Sequence, residues 1–350
     1  MFKKIKIGNL FLRKGGPVLI IAEAGVNHNG RLDLALKLVD AAKKAGADII
    51  KFQTFKAEDI ALADAKMAEY QKKNLQQNKS QREMLRELEL NEDFYKPIIK
   101  RCQDKKILFL STAGSVQSVD FLETVGVKAY KVGASDMTNY FLLDKVAKTK
   151  KPIILSTGMA TLEEVRDAIS FIRSKGNNKI AILHCTTNYP CPLGEVNLRA
   201  MVTMMKKFPL PIGYSDHTLG NQTAIMAVAL SAALYECHFT LDKKLTGPDH
   251  IASANPQELK EKIAAIRRAE IIMGDVKKGP TTSELIMRKT MRKSIVFTRA
   301  MGAGDTIQRK DLGAKRPGDG ISPIKFREFL GRKLLRSVRI DQKLSYKDIR

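Results

Sequence analysis

The sequence contains no tryptophan, only five histidines and four cysteines, and no run of eighteen apolar residues. Without such a run, no transmembrane helix is predicted. The start, MFKKIK, lacks the apolar core and cleavage site of a signal peptide. The cysteines form no Cys-x-x-Cys pair, as expected in a reducing compartment. We therefore expect a soluble, cytoplasmic protein that makes no membrane contact.

Positive charge is the main excess in the composition. The net charge is +24, and residues 276–350 contribute +13 of it through 20 Lys/Arg against 7 Asp/Glu. A nucleic-acid-binding protein would add stacking aromatics or a known module, and neither is present. A basic surface also attracts small anionic substrates. We predict small-molecule partners and no nucleic acid, and keep a basic nucleic-acid-binding protein as the non-enzyme alternative.

Short apolar runs that end in polar or glycine-rich tips recur eight times. Stretches with helical periodicity lie between them, which is typical of a parallel sheet buried on both faces. Eight such units in roughly 250 residues predict a (β/α)8 TIM barrel, with an open doubly wound sheet as the alternative. The predicted strands are Val18–Val26, Ala47–Thr54, Ile107–Thr112, Ala129–Ser135, Pro152–Gly158, Ile180–Thr186, Pro211–His217 and Leu234–Thr240.

Two regions depart from this alternation. The interval 56–105 is long and polar, and predicts an inserted loop or helix on the active-site side or a solvated decoration. After the barrel, predicted over 1–275, residues 276–292 read as a linker. Residues 293–350 contain short strands and many turns, which predicts a small β-rich domain.

The strand tips carry the candidate chemistry, because barrel active sites collect at the carboxyl ends of the strands. Lys51 and Lys131 lie within apolar strands, where each needs a bound anion or an ion-pair partner such as Glu23 or Asp136. His217 and His238 end neighbouring strands and are placed to share one divalent metal ion. We predict a site for a small phosphorylated carboxylate beside a metal that polarises an electrophile.

Eight motifs follow one another along the predicted barrel, and RPG at 316–318 follows in the tail. The barrel motifs are IAEAGVNHNG at 21–30, IKFQT at 50–54, YKVG at 130–133, ILSTGM at 154–159, HCTTNYP at 184–190, YSDHT at 214–218, HFT at 238–240 and GPDH at 247–250. In this order they resemble the bacterial sialic acid synthases, which condense phosphoenolpyruvate with an N-acetylated hexosamine, and the resemblance covers nearly the full length. The tail resembles the antifreeze-like SAF domain of a β-clip fold.

The resemblance implies roles for individual residues. His217 and His238 match the two protein ligands of a Mn²⁺ or Mg²⁺ cofactor. Arg316 matches an arginine that enters the active site of the neighbouring subunit in a domain-swapped homodimer. The other implied catalytic residues are Glu23, Lys51, Lys131 and Asp136. The implied substrate-binding residues are Ser135, Ser156, Asn188, Tyr189, Ser215 and Asp249. Gln53 and Thr112 join the predicted substrate-binding residues because they lie at strand tips.

The chain departs from the family pattern at three places. Ala134-Ser135-Asp136 stands where Ser-Gly-Glu is usual, so that a phosphate-binding hydroxyl shifts by one position and the acid is shorter. Asn188 is displaced by one place in the same way. Cys237 stands where relatives often have Lys or Arg, and strand alternation points it toward the helix layer.

The predicted reaction joins phosphoenolpyruvate to open-chain N-acetylmannosamine, giving N-acetylneuraminate and phosphate for cell-surface carbohydrate biosynthesis. The same reaction on 2,4-diacetamido-6-deoxymannose, giving N,N'-diacetyllegionaminate, is the first alternative, and the pseudaminate precursor is another. One pocket side chain is enough to discriminate among these acceptors. A sugar-phosphate or pyruvate aldolase, which would share the barrel but use a Schiff-base lysine, is a further alternative.

Overall fold

The computed structural model of the chain describes residues 4–13, 15–77 and 79–350. These residues form two compact units, Met1–Gly274 and Asp275–Arg350. The stretch 276–292, predicted as a linker, contains the helix Thr282–Met291. Within the described ranges, none of the helices has the length and apolar character that a membrane span requires.

The first unit begins with an antiparallel hairpin of β1 (Ile5–Ile7) and β2 (Leu10–Leu12). Eight parallel strands follow, and each pairs with the next until the last pairs with the first, so that the sheet is closed. This confirms the predicted TIM barrel and excludes the open sheet. The strands are β3 Leu19–Gly25, β4 Ile49–Thr54, β5 Leu108–Ala113, β6 Tyr130–Val132, β7 Ile153–Ser156, β8 Ile180–Cys185, β9 Ile212–Asp216 and β10 Leu234–His238.

Helices occupy the connections between the barrel strands. The first of them buries Ala35, Leu38, Val39 and Ala42, at the spacing of one helix face. It ends at Gly46, whose φ of 99° is a left-handed conformation that favours glycine. The helices of this unit are α1 Leu32–Ala45, α2 Ala57–Ile60, α3 Glu69–Leu75, α4 Gln81–Glu87, α5 Glu92–Lys105, α6 Val116–Thr124, α7 Tyr140–Lys148, α8 Leu162–Ser174, α9 Arg199–Lys207, α10 Gln222–Ala229 and α11 Pro256–Met273.

The lower interior of the barrel is a closed apolar layer. Ile5, Ile7 and Leu12 of the hairpin pack with inward-facing side chains of the strands, which include Ile21, Ile49, Leu110, Ile154, Leu183 and Leu234. Gly213 has no room for a side chain here, because a Cβ atom would lie 2.4 Å from the Leu234 carbonyl oxygen. The hairpin therefore fills the amino-terminal end of the barrel and leaves only the carboxyl end open.

One predicted strand ends earlier in the structure than the sequence indicates, because the chain leaves the sheet in a turn. The predicted strand Ala129–Ser135 is observed only over Tyr130–Val132. Ala134–Asp136 instead forms a 3₁₀ turn, which takes Ser135 and Asp136 out of the sheet.

The second unit contains α12 (Thr282–Met291) and an antiparallel pair of β11 (Ser294–Phe297) with β12 (Leu312–Lys315). Ile295, Phe297, Leu312 and Phe329 belong to its separate buried core. Outside these strands, isolated β-bridges pair distant residues of the unit, such as Met301 with Val338. The antiparallel strands and the many turns agree with the predicted small β-rich domain.

Candidate active site

A polar layer lies directly above the apolar layer of the barrel. Because strand side chains alternate between faces, the residue two positions beyond each inward apolar residue also faces inward. Seven of these side chains are buried and Thr112 is partly buried. The layer consists of Glu23, Lys51, Thr112, Lys131, Ser156, Cys185, Ser215 and Glu236.

Glu23 and Lys51 form a buried ion pair in this layer, with 2.6 Å between Oε2 and Nζ. Gln53 donates to Glu23 Oε1 at 3.0 Å, and Lys51 donates to the hydroxyl of Thr112 at 3.1 Å. Burial raises the pKa of Glu23. For Lys51 burial opposes the charge, but Glu23 and Glu236 outweigh it and raise the pKa. The ammonium group therefore stays charged inside the barrel.

Lys131 and Ser156 lie across the layer from that pair. Lys131 donates to the Ser156 hydroxyl at 2.6 Å and lies 3.7 Å from Glu236 Oε1. Burial lowers the pKa of Lys131. A lysine and a hydroxyl in contact at the open end of a barrel are suited to holding a phosphate or carboxylate oxygen.

Glu236 links both lysines and was not assigned a role from the sequence. Its Oε1 lies 3.8 Å from Lys51 Nζ and accepts a hydrogen bond from Ser215 at 3.2 Å, whereas its buried Oε2 has no hydrogen-bond partner among the described residues. Burial opposes its charge, but Lys131 and Lys51 outweigh burial and lower the pKa. The sequence does contain a signal for Glu236: it lies two residues before His238 and therefore on the same face of β10 as that predicted metal ligand.

The two predicted metal ligands lie side by side, with ring centroids 5.5 Å apart. His217 Nδ1 contacts the Thr186 carbonyl at 2.6 Å, so Nδ1 carries the proton and Nε2 keeps a free lone pair. His238 Nδ1 is buried and has no hydrogen-bond partner in the part of the chain that the structure describes, and Asp249 Oδ2 lies 3.8 Å from it. Burial lowers the pKa of both histidines.

This donor set fits a divalent ion bound by two neutral imidazoles. Metal-binding histidines carry their second nitrogen on a carbonyl or carboxylate, as His217 does on Thr186. Among the residues that the structure describes, no group of three or more His, Cys, Asp or Glu side chains is placed to hold an ion. The pair would therefore supply two ligands and leave the remaining positions to water and substrate.

The pocket wall beside the histidines is aromatic. The ring of Tyr189 lies 4.2 Å from that of His217 and 5.4 Å from that of His238, measured between centroids. Tyr70 of α3 packs on Tyr189, with the two ring centroids 5.2 Å apart. The interval 56–105 therefore contributes a side chain to the rim of the site.

Asp249 is a buried carboxyl group close to His238. Burial raises the pKa of Asp249 to about 7, and Glu23 adds to the shift.

Four of the predicted site residues make their contacts elsewhere. Asp136 accepts hydrogen bonds from Ser135 at 3.2 Å and from Asn139 at 3.0 Å, within its own turn. Asn188 is exposed and donates to Glu195 Oε2 at 3.3 Å. Arg316 belongs to the second unit, where its Nε donates to the Met291 carbonyl at 3.2 Å.

Residues 38–278 match the NeuB family, and residues 292–350 match the SAF domain. The chain belongs to the NeuB family. This confirms the predicted resemblance to the sialic acid synthases, including the SAF domain at the carboxyl end.

Curated NeuB-family relatives match this chain over most of their length. An N,N'-diacetyllegionaminic acid synthase of Legionella pneumophila is 45% identical over 90% of both chains. A protein of the same name from Campylobacter jejuni is 44% identical over 93% of this chain and 98% of its own. The human N-acetylneuraminate-9-phosphate synthase is 34% identical over 93% of this chain and 90% of its own.

Two solved structures place this NeuB-family chain among known folds. The N-acetylneuraminic acid synthetase of Leptospira borgpetersenii, in complex with citrate, superposes with a TM-score of 0.73 at 34% identity, over 82% of this chain and 95% of the other. The spore coat polysaccharide biosynthesis protein SpsE of Bacillus subtilis gives 0.68 at 32% identity, over 99% of both chains.

Proposed function

We propose that this NeuB-family enzyme is a phosphoenolpyruvate-dependent N,N'-diacetyllegionaminate synthase. The observation that carries this is the difference in identity: 45% and 44% to two N,N'-diacetyllegionaminic acid synthases, against 34% to a human N-acetylneuraminate-9-phosphate synthase and 31% to a pseudaminic acid synthase. N-acetylneuraminate synthesis, the first prediction from the sequence, is therefore less well supported than its legionaminate alternative.

The proposed reaction joins an alkene carbon to an aldehyde. C3 of phosphoenolpyruvate forms a bond to the aldehyde carbon of open-chain 2,4-diacetamido-6-deoxymannose, and the aldehyde oxygen gains a proton. Water adds to C2 of the former phosphoenolpyruvate and loses a proton. The bond from C2 to the phosphate oxygen then breaks while the proton of the C2 hydroxyl passes to the departing phosphate, which releases inorganic phosphate and leaves a ketone in a nine-carbon acid.

The lysine and hydroxyl side of the polar layer would hold phosphoenolpyruvate. Lys131 donates a hydrogen bond to Ser156 at 2.6 Å, and Ser215 donates one to Glu236 in the same layer. Hydrogen-bond donors that are already fixed in a buried site stabilise the bound phosphate and carboxylate. They also need no rearrangement when negative charge develops during the reaction. Glu236, which is kept ionised by the two lysines, is placed to take the proton of the attacking water.

The opposite side of the pocket would hold the sugar. Glu23 and Asp249 are buried carboxyl groups that can bind hydroxyls, and Tyr189 covers the histidine pair. His217 and His238 would hold Mn²⁺ or Mg²⁺, and the ion when bound would act as a Lewis acid on the aldehyde oxygen. His217 is oriented for this by its hydrogen bond to Thr186.

The assembly and the cellular location are further parts of the proposal. We propose a cytoplasmic homodimer in which Arg316 of one subunit reaches the sugar end of the other subunit's site. The support is the resemblance stated for RPG at 316–318, together with the SAF match over residues 292–350. Arg316 is exposed on its own unit and therefore available for such a contact.

Phosphate release tests the proposal directly. The enzyme is incubated with phosphoenolpyruvate, Mn²⁺ and one of three acceptors: 2,4-diacetamido-6-deoxymannose, N-acetylmannosamine or the pseudaminate precursor. We expect the highest kcat/KM for the first acceptor, and loss of turnover after EDTA treatment that Mn²⁺ restores. No release with any acceptor would overturn the function, and full activity in EDTA would overturn the metal site.

One observation fits the Schiff-base aldolase alternative. Burial lowers the pKa of Lys131, which is also a property of lysines that form imines. The contact with Ser156 and the NeuB-family match favour an anion-binding role instead. Borohydride treatment in the presence of pyruvate separates the two roles, because only an imine leaves a reduced adduct on Lys131.

A further inference from the structure

The short helix α3 fixes one aromatic side chain, Tyr70, at the open end of the barrel. Just before the helix, Met67 is buried in a cluster with Val26, Phe55, Met84 and Leu88. Near the end of the helix, Asn74 Nδ2 donates to the Pro248 carbonyl at 2.6 Å, in the loop that carries Asp249. The helix is therefore attached to the barrel rim on both sides of Tyr70.

Tyr70 lies one ring further from the histidine pair than Tyr189 does. The ring centroids of Tyr70 and Tyr189 are 5.2 Å apart, and Tyr189 is 4.2 Å from His217. Asn74 on the same helix donates to the Pro248 carbonyl, next to Asp249, and the Asp249 carboxyl adds to burial in raising the pKa of Tyr70. The helix thus places Tyr70 on the side of the pocket that includes Asp249.

We propose that Tyr70 is a specificity-determining residue that contacts the far end of the acceptor sugar and favours a 6-deoxy sugar. The inference rests on the proposed function, since it takes the aldehyde to lie at His217 and His238. A six-carbon open chain that begins at the histidines and passes the carboxyl groups ends on the side of Tyr70. The two tyrosine rings then form an aromatic wall around C6.

The chemistry of the wall explains the preference. A methyl group packs on an aromatic face without leaving a polar atom unpaired. A hydroxymethyl group at the same place would lose its water and would need a hydrogen-bond partner in the wall. Discrimination of this kind in an apolar pocket reaches about a hundredfold in kcat/KM.

The test compares kcat/KM for 2,4-diacetamido-6-deoxymannose and for 2,4-diacetamidomannose, which differs from it only by a hydroxyl at C6, measured by phosphate release in the full-length enzyme with Mn²⁺. We expect Tyr70→Ala and Tyr70→Leu to lower the ratio of the two values about tenfold, mainly through the KM of the 6-deoxy acceptor. The KM for phosphoenolpyruvate should not change. Tyr70→Phe should keep the ratio, and Lys73→Ala, on an exposed position of the same helix, serves as the matched control.

An equal fall for both acceptors, with an unchanged ratio, would overturn the inference. If the wild type prefers N-acetylmannosamine, the proposed function is wrong, whereas the contact is still judged by whether Tyr70→Ala changes the ratio. Calorimetric titration with the two reduced sugars, which need no turnover, gives a second measurement. We expect Tyr70→Ala to weaken binding of the reduced 6-deoxy sugar selectively, and equal weakening of both would count against the contact.

Discussion

Glu236 balances the charges of the polar layer. It lies 3.8 Å from Lys51 and 3.7 Å from Lys131, and it accepts a hydrogen bond from Ser215. A buried ammonium group without a neutralising partner is costly, and Glu23 directly neutralises only one of the two lysines. Glu236 therefore faces both lysines and opposes the effect of burial, which lowers the pKa of Lys131.

Replacing Glu236 by Gln should remove this charge while keeping the shape of the side chain. If Glu236 takes the proton of the attacking water, kcat should fall by about 10²–10⁴-fold. The KM for phosphoenolpyruvate should not rise, because the lysines that bind the anion remain. Phosphate-release kinetics check this, with a thermal melt to show that the variant is folded. A kcat within fivefold of wild type would contradict the assigned role.

At the scale of secondary-structure elements, the hairpin β1–β2 is a part of the barrel core that the strand alternation does not predict. Its residues Ile5, Ile7 and Leu12 are buried against the inward side chains of the barrel strands. The eight strands and most of the helices follow from apolar periodicity. The hairpin does not, because three-residue strands carry too little pattern to be distinguished from a loop.

Ile7→Ala should destabilise the barrel by about 2–5 kcal/mol, since it empties a fully buried position. The polar layer lies at the opposite end of the barrel, so kcat of the folded variant should stay near the wild-type value. Urea unfolding followed by circular dichroism measures the change, and the exposed Lys6→Ala provides the control. A loss below about 1 kcal/mol would show that the hairpin does not support the core.

The 3₁₀ turn Arg309–Asp311 gives the SAF unit a pH-dependent element. Asp311 is fully buried and accepts hydrogen bonds from Arg299 Nε at 2.8 Å and from the Gln308 amide at 2.9 Å. Burial opposes its charge, but these partners outweigh it and lower the pKa. Its contribution to stability is therefore present above the unfolded pKa of about 3.9 and is lost as pH falls through the lower folded pKa.

Asp311→Asn should therefore destabilise the SAF unit at pH 7, because the ion pair to Arg299 is lost. The difference between variant and wild type should shrink below about pH 4, where Asp311 itself becomes protonated. Melting temperatures of both proteins between pH 7 and pH 2.5 measure this. A difference that does not change with pH would mean that the charge on Asp311 does not stabilise the unit.

At the scale of the whole molecule, the chain is a barrel unit followed by a SAF unit, each with its own core. The proposed sugar end of the site includes Asp249 of the barrel unit, and Arg316 of the second unit is the further contact that the family resemblance implies. In the proposed homodimer, Arg316 and His238 of one active site come from different subunits.

Subunit mixing tests this arrangement. Arg316→Ala and His238→Ala should each strongly impair the enzyme, but co-expression of the two variants should restore about a quarter of the wild-type activity. Half of the dimers would be mixed, and each mixed dimer would contain one site without either substitution. If Arg316 served its own subunit, every site in a mixed dimer would be damaged and no activity would return.

The sequence alone determined the barrel, the SAF domain and most residues of the polar layer. Local periodicity fixes strands and helices, and the rule that barrel sites lie at strand ends brings Glu23, Lys51, Lys131 and His238 to one rim. Tertiary structure decided which of these side chains touch. The contact of Lys131 with Ser156, the bridging position of Glu236 and the approach of Tyr70 to Tyr189 depend on closure of the sheet and on the placement of an insertion. These contacts join residues far apart in sequence, and local patterns contain no information about such distances.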